Sequence, residues 1–194
     1  TSVYKLLPNI TTRDTFPVFN NSKYRGRFIV DGTSSITFGY SDSEDRLWSR
    51  LIDSNGCEVK IWLTRLLCEK TCNELISLLE KSTITYKVEN TEVSLSSSAI
   101  LSEEYKQAKD KPSDPVPKLK VSPKSVQTID ICHSIQIKQG SSWQIIFNMK
   151  GEKNVKLSLN KLGVHRILST LITQANRANW CISVKAEWLN IETV

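Results

Sequence analysis

The segment VKLSLNKLGVHRILSTLI (155–172) places a short alternating strand directly before an amphipathic helix. Val155, Leu157 and Leu159 share one face of the strand, because successive side chains of a strand point to opposite sides. Asn160 can cap the helix, since its side-chain oxygen can accept a hydrogen bond from a free amide of the first turn. The helix carries one apolar stripe at helical spacing, formed by Val164, Leu168, Leu171, Ile172 and Ala175. The segment therefore predicts a strand, a cap and a helix that packs on a sheet.

The same pattern occurs 96 residues earlier, in VKIWLTRLLCEKTCNELI (59–76). Residues 59–89 align with 155–185 without a gap, and Thr64 takes the place of the capping Asn160. The identical pairs are Val59/Val155, Lys60/Lys156, Leu63/Leu159, Leu66/Leu162, Leu75/Leu171, Ile76/Ile172 and Val88/Val184. An offset of 95 residues instead pairs Trp48 with Trp143, which a one-residue difference in a turn would explain. The chain is therefore predicted to contain an internal duplication.

Segments with strand-like alternation surround both copies. They are YRGRFIVDG (24–32), SSITFGY (34–40), DRLWSRLID (45–53) and TITYKVE (83–89) in the first copy, and TIDICHSIQIK (128–138), SSWQIIFNM (141–149) and ANWCISVKAEWL (178–189) in the second. The predicted fold class is α+β. It is a tandem repeat of a mostly antiparallel β-sheet plus one amphipathic helix, ββββα(β) twice, with a pseudo-two-fold relation between the copies.

Composition divides the chain into four parts. Residues 1–22 form an N-terminal arm, 23–93 the first repeat, 94–125 a linker rich in serine, lysine and proline, and 126–194 the second repeat. Four prolines in the linker remove amide donors, so this part cannot be a central strand or a long helix. An exposed, extended linker is predicted, with a short helix at SEEYKQAKD (102–110).

The net charge of +6 lies entirely in the second half, because residues 1–100 carry equal numbers of basic and acidic side chains. A basic half favours a polyanionic partner, although the same charge could serve solubility alone. No apolar run reaches the length of a membrane span, which predicts a soluble protein that does not bind membranes. The five cysteines, with no visible secretion signal, predict reduced thiols in the cytoplasm or another reducing compartment.

Catalytic and metal-binding motifs are absent from the sequence. His133 and His165 have no carboxylate–nucleophile pattern nearby, and the cysteines lack a second pair at zinc-ligand spacing. The sequence therefore predicts a protein that is not an enzyme and uses no cofactor and no metal.

Cations and aromatic residues alternate along the predicted strands, which favours binding of single-stranded nucleic acid. A sheet with flat rings beside cations can stack unpaired bases and neutralise their phosphates. Trp62 is opposite in phase to Ile61 and Leu63 and is predicted to be exposed, whereas Trp143 is predicted to lie in the core. The candidate binding residues are Arg25, Arg27, Arg50, Lys60, Trp62, Lys138, Lys150, Lys153, Lys156 and Lys161.

The run KGEKNVKLSLNKLGVHRILSTLI (150–172) resembles the end of the repeating unit in the positive cofactor four and Whirly group of single-strand binders. In that group a basic turn and a short strand ending in Leu-Asn lead into a long amphipathic helix. The resemblance implies that helices pack the two units together while the sheets face DNA or RNA. It also implies phosphate contacts for Lys150, Lys153 and Lys156, and it leaves further homo-oligomerisation open.

Two other functions remain open at this stage. The first is a protein–protein interaction module, such as a regulatory, immunity or phage-related factor, that uses the same sheet or helix surface. An apolar patch around Trp62 without lysines would favour it. The second is an enzyme assembled from scattered residues, which a deep polar pocket with His133 or His165 beside a carboxylate would favour.

Overall fold

A computed structural model of the chain describes residues 33–53, 58–89, 95–110, 126–151 and 154–189. Its elements are β1 (Thr33–Ser41), β2 (Arg46–Asp53), β3 (Glu58–Leu63), α1 (Arg65–Glu89), α2 (Ser97–Asp110), β4 (Val126–Gln139), β5 (Trp143–Met149), β6 (Asn154–Leu159), α3 (Lys161–Arg177) and a 3-10 turn (Glu187–Leu189). The six strands form one sheet in chain order. Neighbours are antiparallel except β3 and β4, which are parallel. The α+β class is confirmed. The predicted strand at 24–32 and the arm at 1–22 lie outside the described residues.

The β2–β3 and β5–β6 hairpins have the same register at the 96-residue offset of the sequence repeat. Leu47 pairs with Leu63 as Trp143 pairs with Leu159, and Arg50 pairs with Lys60 as Ile146 pairs with Lys156. The 95-residue offset is wrong for these strands. Trp143 takes the buried place of Leu47, whereas Trp48 lies on the opposite side of the sheet and is half-buried.

The sheet is strongly curved, and the long strand β4 joins its two halves. The first part of β4 pairs with β3 and the second part pairs with β5. The two edge strands, β1 and β6, approach within 8 Å between Cα atoms. The helices pack crosswise: α1, which follows β3, contacts β4, and α3, which follows β6, contacts β1. Each half of the sheet is thus covered partly by the helix of the other half.

Both predicted caps and the predicted apolar stripe of α3 are confirmed. The Gly163 amide donates to Asn160 Oδ1 at 2.8 Å, and the Leu67 amide donates to Thr64 Oγ1 at 3.3 Å. The stripe of α3 is buried in full, as are Cys72, Leu75, Ile76 and Leu79 of α1. These side chains pack on the inner face of the sheet. The helical spacing of the apolar residues therefore predicted correctly which side of each helix faces the sheet.

The strand predicted at 83–89 is wrong, because α1 continues through this segment to Glu89. Its β-branched residues are typical of strands, but the hydroxyls of its two threonines find partners inside the helix. Thr83 Oγ1 donates to the Leu79 carbonyl at 2.9 Å, and Thr85 Oγ1 donates to the Lys81 carbonyl at 3.1 Å. No helix among the described residues is both long and apolar enough to cross a membrane; α1 has the length but not the apolarity.

The strand predicted at 178–189 is also wrong. The chain leaves α3 after Arg177 and runs without a strand partner to the 3-10 turn. Side chains of α1 bind its backbone instead: Arg65 Nη2 donates to the Cys181 carbonyl at 3.2 Å, and Asn73 Nδ2 donates to the Ser183 carbonyl at 2.9 Å. The alternation in this sequence therefore arises from an extended tail lying on a helix.

The helix predicted at 102–110 is confirmed and begins earlier, at Ser97. Ser96 caps it, since its hydroxyl accepts a hydrogen bond from the Ala99 amide at 3.1 Å. Leu101, Tyr105 and Ala108 of α2 are buried against the other helices. This part of the predicted linker is therefore packed rather than exposed and extended.

Candidate nucleic-acid interface

One side of the sheet has no helix packed on it within the described residues, and it is named the outer face. Val59, Ile61 and Leu63 of β3 point to the core and are buried, whereas Lys60 and Trp62 between them are half-buried. The same alternation runs through β2, β5 and β6. The outer face thereby collects Arg46, Trp48, Arg50, Lys60, Trp62, Lys138 and Lys156 from strands that are far apart in the sequence.

A cluster of two indoles and one ammonium group lies on the β2–β3 half of this face and is named the tryptophan–lysine cluster. Trp48 and Trp62 are directly opposite each other across the two strands. Lys60 Nζ lies 5.0 Å from the ring centroid of each indole. Gly39 allows Trp48 to lie close to β1, because a Cβ at this position would overlap the indole ring. The cluster provides two aromatic surfaces and a cation held between them.

Arg50 is anchored beside this cluster by an ion pair. Its Nη2 donates to Glu58 Oε2 at 2.7 Å, and Glu58 is buried. The carboxylate offsets much of the charge of Arg50. Arg50 therefore contributes less positive charge to the outer face than the sequence suggests. Lys60 has no carboxylate at ion-pair distance among the described residues, and its charge faces the indoles.

The remaining predicted cations are more widely spread. Lys138 is exposed near the end of β4, and Lys150 is exposed in the bend that follows β5. Lys156 occupies the place in the second hairpin that Lys60 occupies in the first. Arg25, Arg27 and Lys153 lie outside the described residues.

Lys161 is not on the outer face but in the helix layer. Its Nζ donates to Glu104 Oε1 at 2.8 Å and to Thr83 Oγ1 at 3.2 Å. Lys161 therefore fastens the start of α3 to α2 and to the end of α1, and its ammonium group is already engaged within the fold.

The second carboxylate oxygen of Glu104 binds His165. The distance between His165 Nε2 and Glu104 Oε2 is 3.2 Å, and His165 is 0% exposed beneath the rings of Tyr105 and Trp188. Burial alone would raise the pKa of Glu104, but the hydrogen bonds from His165 and Lys161 hold that pKa below its ordinary value. A histidine beside a carboxylate does occur here, in the packing between α2 and α3. His133 is exposed on β4, where the register with β5 shifts.

We expect Glu104→Gln to lower the free energy of unfolding at pH 7 by about 1–3 kcal/mol. The reason is that His165 and Lys161 would then face a neutral amide in place of a charged carboxylate. The folded-state pKa of Glu104 is depressed, so its contribution is present above the ordinary carboxyl pKa of 4.5 and is lost as pH falls through the folded value. Urea unfolding of both proteins at pH 7 and pH 3.5 measures this. The two stabilities should converge in acid, and an equal gap at both pH values would contradict the assignment.

The cysteines form no disulfide and no metal cluster within the described residues. Cys68, Cys72 and Cys132 are buried and free, Cys181 is exposed and free, and Cys57 lies outside the described residues. The hydrogen bond to Cys68 and burial raise the pKa of Cys72, and burial raises the pKa of Cys132 to about 11. Both thiols are therefore poor nucleophiles. The described residues contain no group of three or more His, Cys, Asp or Glu side chains suited to a metal ion.

The aromatic residues of the second half are buried rather than presented on the outer face. Trp143 lies in the core as predicted, together with Phe147. The tail tryptophans are buried too: Trp180 Nε1 donates to Asp45 Oδ1 at 2.8 Å, and Trp188 Nε1 donates to Glu80 Oε1 at 2.9 Å. The exposed aromatic surface therefore belongs to the first half, and Trp48 was missing from the predicted set. The register that places it opposite Trp62 would have identified it.

Comparison of this chain with protein-family models, with curated proteins and with solved structures gives no match.

Proposed function

We propose that this protein binds single-stranded DNA or RNA on the outer face of its sheet, without catalysing a reaction. The observation that supports the proposal is the tryptophan–lysine cluster: two half-buried indoles with a lysine between them, on the side of the sheet opposite the helices. Lysine beside Trp62 is also the feature that favours nucleic acid over an apolar protein partner.

The geometry suits an unpaired strand. An indole can stack on any base, because every base has a flat π-face, and each such stack contributes about 1–3 kcal/mol. On binding, the ammonium group of Lys60 can leave the indoles and bind a phosphate. The bases can then stack on the indole rings that Lys60 has left. Lys138 and Lys156 extend the positive charge toward the β5–β6 side.

The topology supports the finer interpretation of the fold as a duplicated unit. The two meanders, β1–β2–β3 and β4–β5–β6, have matching hairpin registers, and each is followed by a helix that contacts the first strand of the other. Such an exchange is what a pseudo-two-fold axis would produce. In this interpretation the protein is a tandem single-strand binder similar to the Whirly group, and Lys60 and Lys156 are equivalent phosphate contacts.

The charge on the outer face can be tested by salt dependence. We expect the triple variant Lys60→Gln, Lys138→Gln, Lys156→Gln to bind a fluorescent oligonucleotide more weakly at low salt. The slope of log K against log salt should fall by about 2, since each phosphate contact on a single strand contributes about 0.7. The measurement is fluorescence anisotropy at several salt concentrations.

A matched control removes the same charge from the helix layer. Lys70, Lys81 and Lys109 are exposed on α1 and α2, so their triple change to glutamine alters net charge equally and leaves the outer face intact. The control should keep the wild-type slope. Equal slopes for both triple variants would show that binding depends only on net charge, and no binding by the wild type at low salt would reject the proposal.

A second candidate function is protein binding on the helix layer, where large apolar side chains are exposed. Leu66 is 63% and Ile84 is 54% exposed, and Ile84 lines a cleft of about 700 Å³ together with Leu101 and Trp188. Exposed apolar groups beside a cleft favour a protein ligand. Oligonucleotide binding unaffected by the outer-face variant, with loss of a protein partner in Ile84→Ser, would favour this function.

A further inference from the structure

We infer that a cleft beside β1 and the end of α3 binds one nucleotide, with its base beside Trp48 and its phosphate on Arg177. This inference rests on the proposed function and adds a defined nucleotide subsite to it. The β1 cleft has a volume of about 300 Å³ and is lined by Gly39, Tyr40, Asp42, Trp48, Gln174 and Arg177, among others. This volume is at the lower end of what small-ligand sites occupy.

The cleft continues directly from the tryptophan–lysine cluster, because Trp48 belongs to both. Lys60 Nζ lies over the Trp48 ring, and the benzo part of the same indole covers Gly39 at the β1 edge. A strand that stacks on the cluster can therefore pass over Trp48 and place its next base in the cleft. The wall beyond Trp48 comes from the end of α3, which packs on β1.

The polar lining matches the parts of a nucleotide. Arg177 is exposed and has no carboxylate within ion-pair distance among the described residues, so it is available to a phosphate. Gln174 Oε1 is buried and has no hydrogen-bond partner among the described residues, which is unfavourable for the folded protein. Because Gln174 lines the cleft, a turn of its side chain toward a ligand donor would give this oxygen a partner.

The same lining favours bases that offer hydrogen-bond donors. Asp42 contributes a carboxylate, which only accepts hydrogen bonds, and Gln174 contributes an amide oxygen that lacks a donor. Guanine presents an N–H and an amino group on one edge, whereas uracil presents a single N–H on that edge. We therefore expect guanosine monophosphate to bind more tightly than uridine monophosphate.

Equilibrium dialysis with guanosine 5′-monophosphate tests this subsite. We expect saturable binding by the wild type, and about tenfold weaker binding by Gln174→Ala and by Arg177→Gln, the scale of losing one good contact. Gly39→Ala should weaken binding too, because the new Cβ displaces the Trp48 ring. Asn176→Ala, an exposed change on the same helix turn, should bind as the wild type does.

Oligonucleotide binding by the same proteins separates the two proposals. If the wild type binds an oligonucleotide at low salt but not the mononucleotide, or if the Gln174 and Arg177 variants bind the mononucleotide normally, the cleft inference is overturned and the outer-face proposal stands. If the mononucleotide binds with the expected variant losses while no oligonucleotide binds, the cleft is supported and the outer-face proposal fails. An equal affinity for guanosine and uridine monophosphate overturns the base preference.

Discussion

Replacement of both Trp48 and Trp62 by leucine is expected to weaken single-strand binding by about 2–4 kcal/mol, or roughly 30- to 1000-fold. Each indole offers one stacking surface, and removal of both also leaves Lys60 without the rings that hold it. The expected loss is less than the sum of two full stacks, because bases must first displace the Lys60 ammonium. Fluorescence anisotropy with a short oligonucleotide at low salt measures the change.

The controls distinguish lost stacking from lost structure. Both indoles are half-buried, so the double variant is expected to lose some stability, and circular dichroism should show that it remains folded at the temperature of the binding measurement. Leu66→Ala removes a large exposed apolar group from α1 instead and should leave binding unchanged. If the double variant is folded and binds as tightly as the wild type, the indoles do not stack on the ligand and the proposed function loses its main support.

Replacement of Trp180 by alanine is expected to cost about 3–5 kcal/mol of unfolding free energy, the usual range for a large buried aromatic residue. Trp180 is 4% exposed, and its ring packs edge-on against Tyr40, 5.9 Å between centroids. Its indole N–H and the Tyr40 hydroxyl both donate to Asp45 Oδ1, which lowers the pKa of Asp45. Urea denaturation at pH 7 measures the loss.

Two further variants assign that loss. Trp180→Phe keeps most of the buried ring and loses only the bond to Asp45, so it should be clearly less destabilising than Trp180→Ala. Trp62→Ala removes the same side chain from the outer face, where it is half-buried, and should cost less. If Trp180→Ala and Trp62→Ala destabilise the protein equally, the tail is not part of the core.

The sequence was sufficient for the described strands and caps because each depends on local chemistry. Apolar periodicity placed β3 and β6 before their helices, and Thr64 and Asn160 cap those helices as their side chains allow. The extended segment at 178–189 could not be predicted from its local pattern alone. Alternation reports an extended backbone, but whether that backbone joins a ladder depends on distant partners, here Arg65 and Asn73 of α1.

The candidate site could be predicted only in part, for the same reason. The alternation of β3 put Lys60 and Trp62 on the outer face, but Trp48 reaches them through a cross-strand register that no single segment encodes. Lys161 matched the basic pattern, yet a carboxylate on α2, 57 residues away in the chain, binds it in the helix layer. A list of basic residues therefore overestimates the charge that a ligand would meet.

The contact between Asp45 and Trp180 also has a consequence for the order of events during synthesis. The two residues are 135 positions apart, and Trp180 comes after α3 has been made. The β1–β2 hairpin therefore emerges from the ribosome well before the indole that binds its turn, which follows 135 residues later. Because α1 likewise packs on β4, the β1–β2–β3 half cannot complete its packing alone, and we expect its native state to form only after α3 and the Trp180 segment have been synthesised.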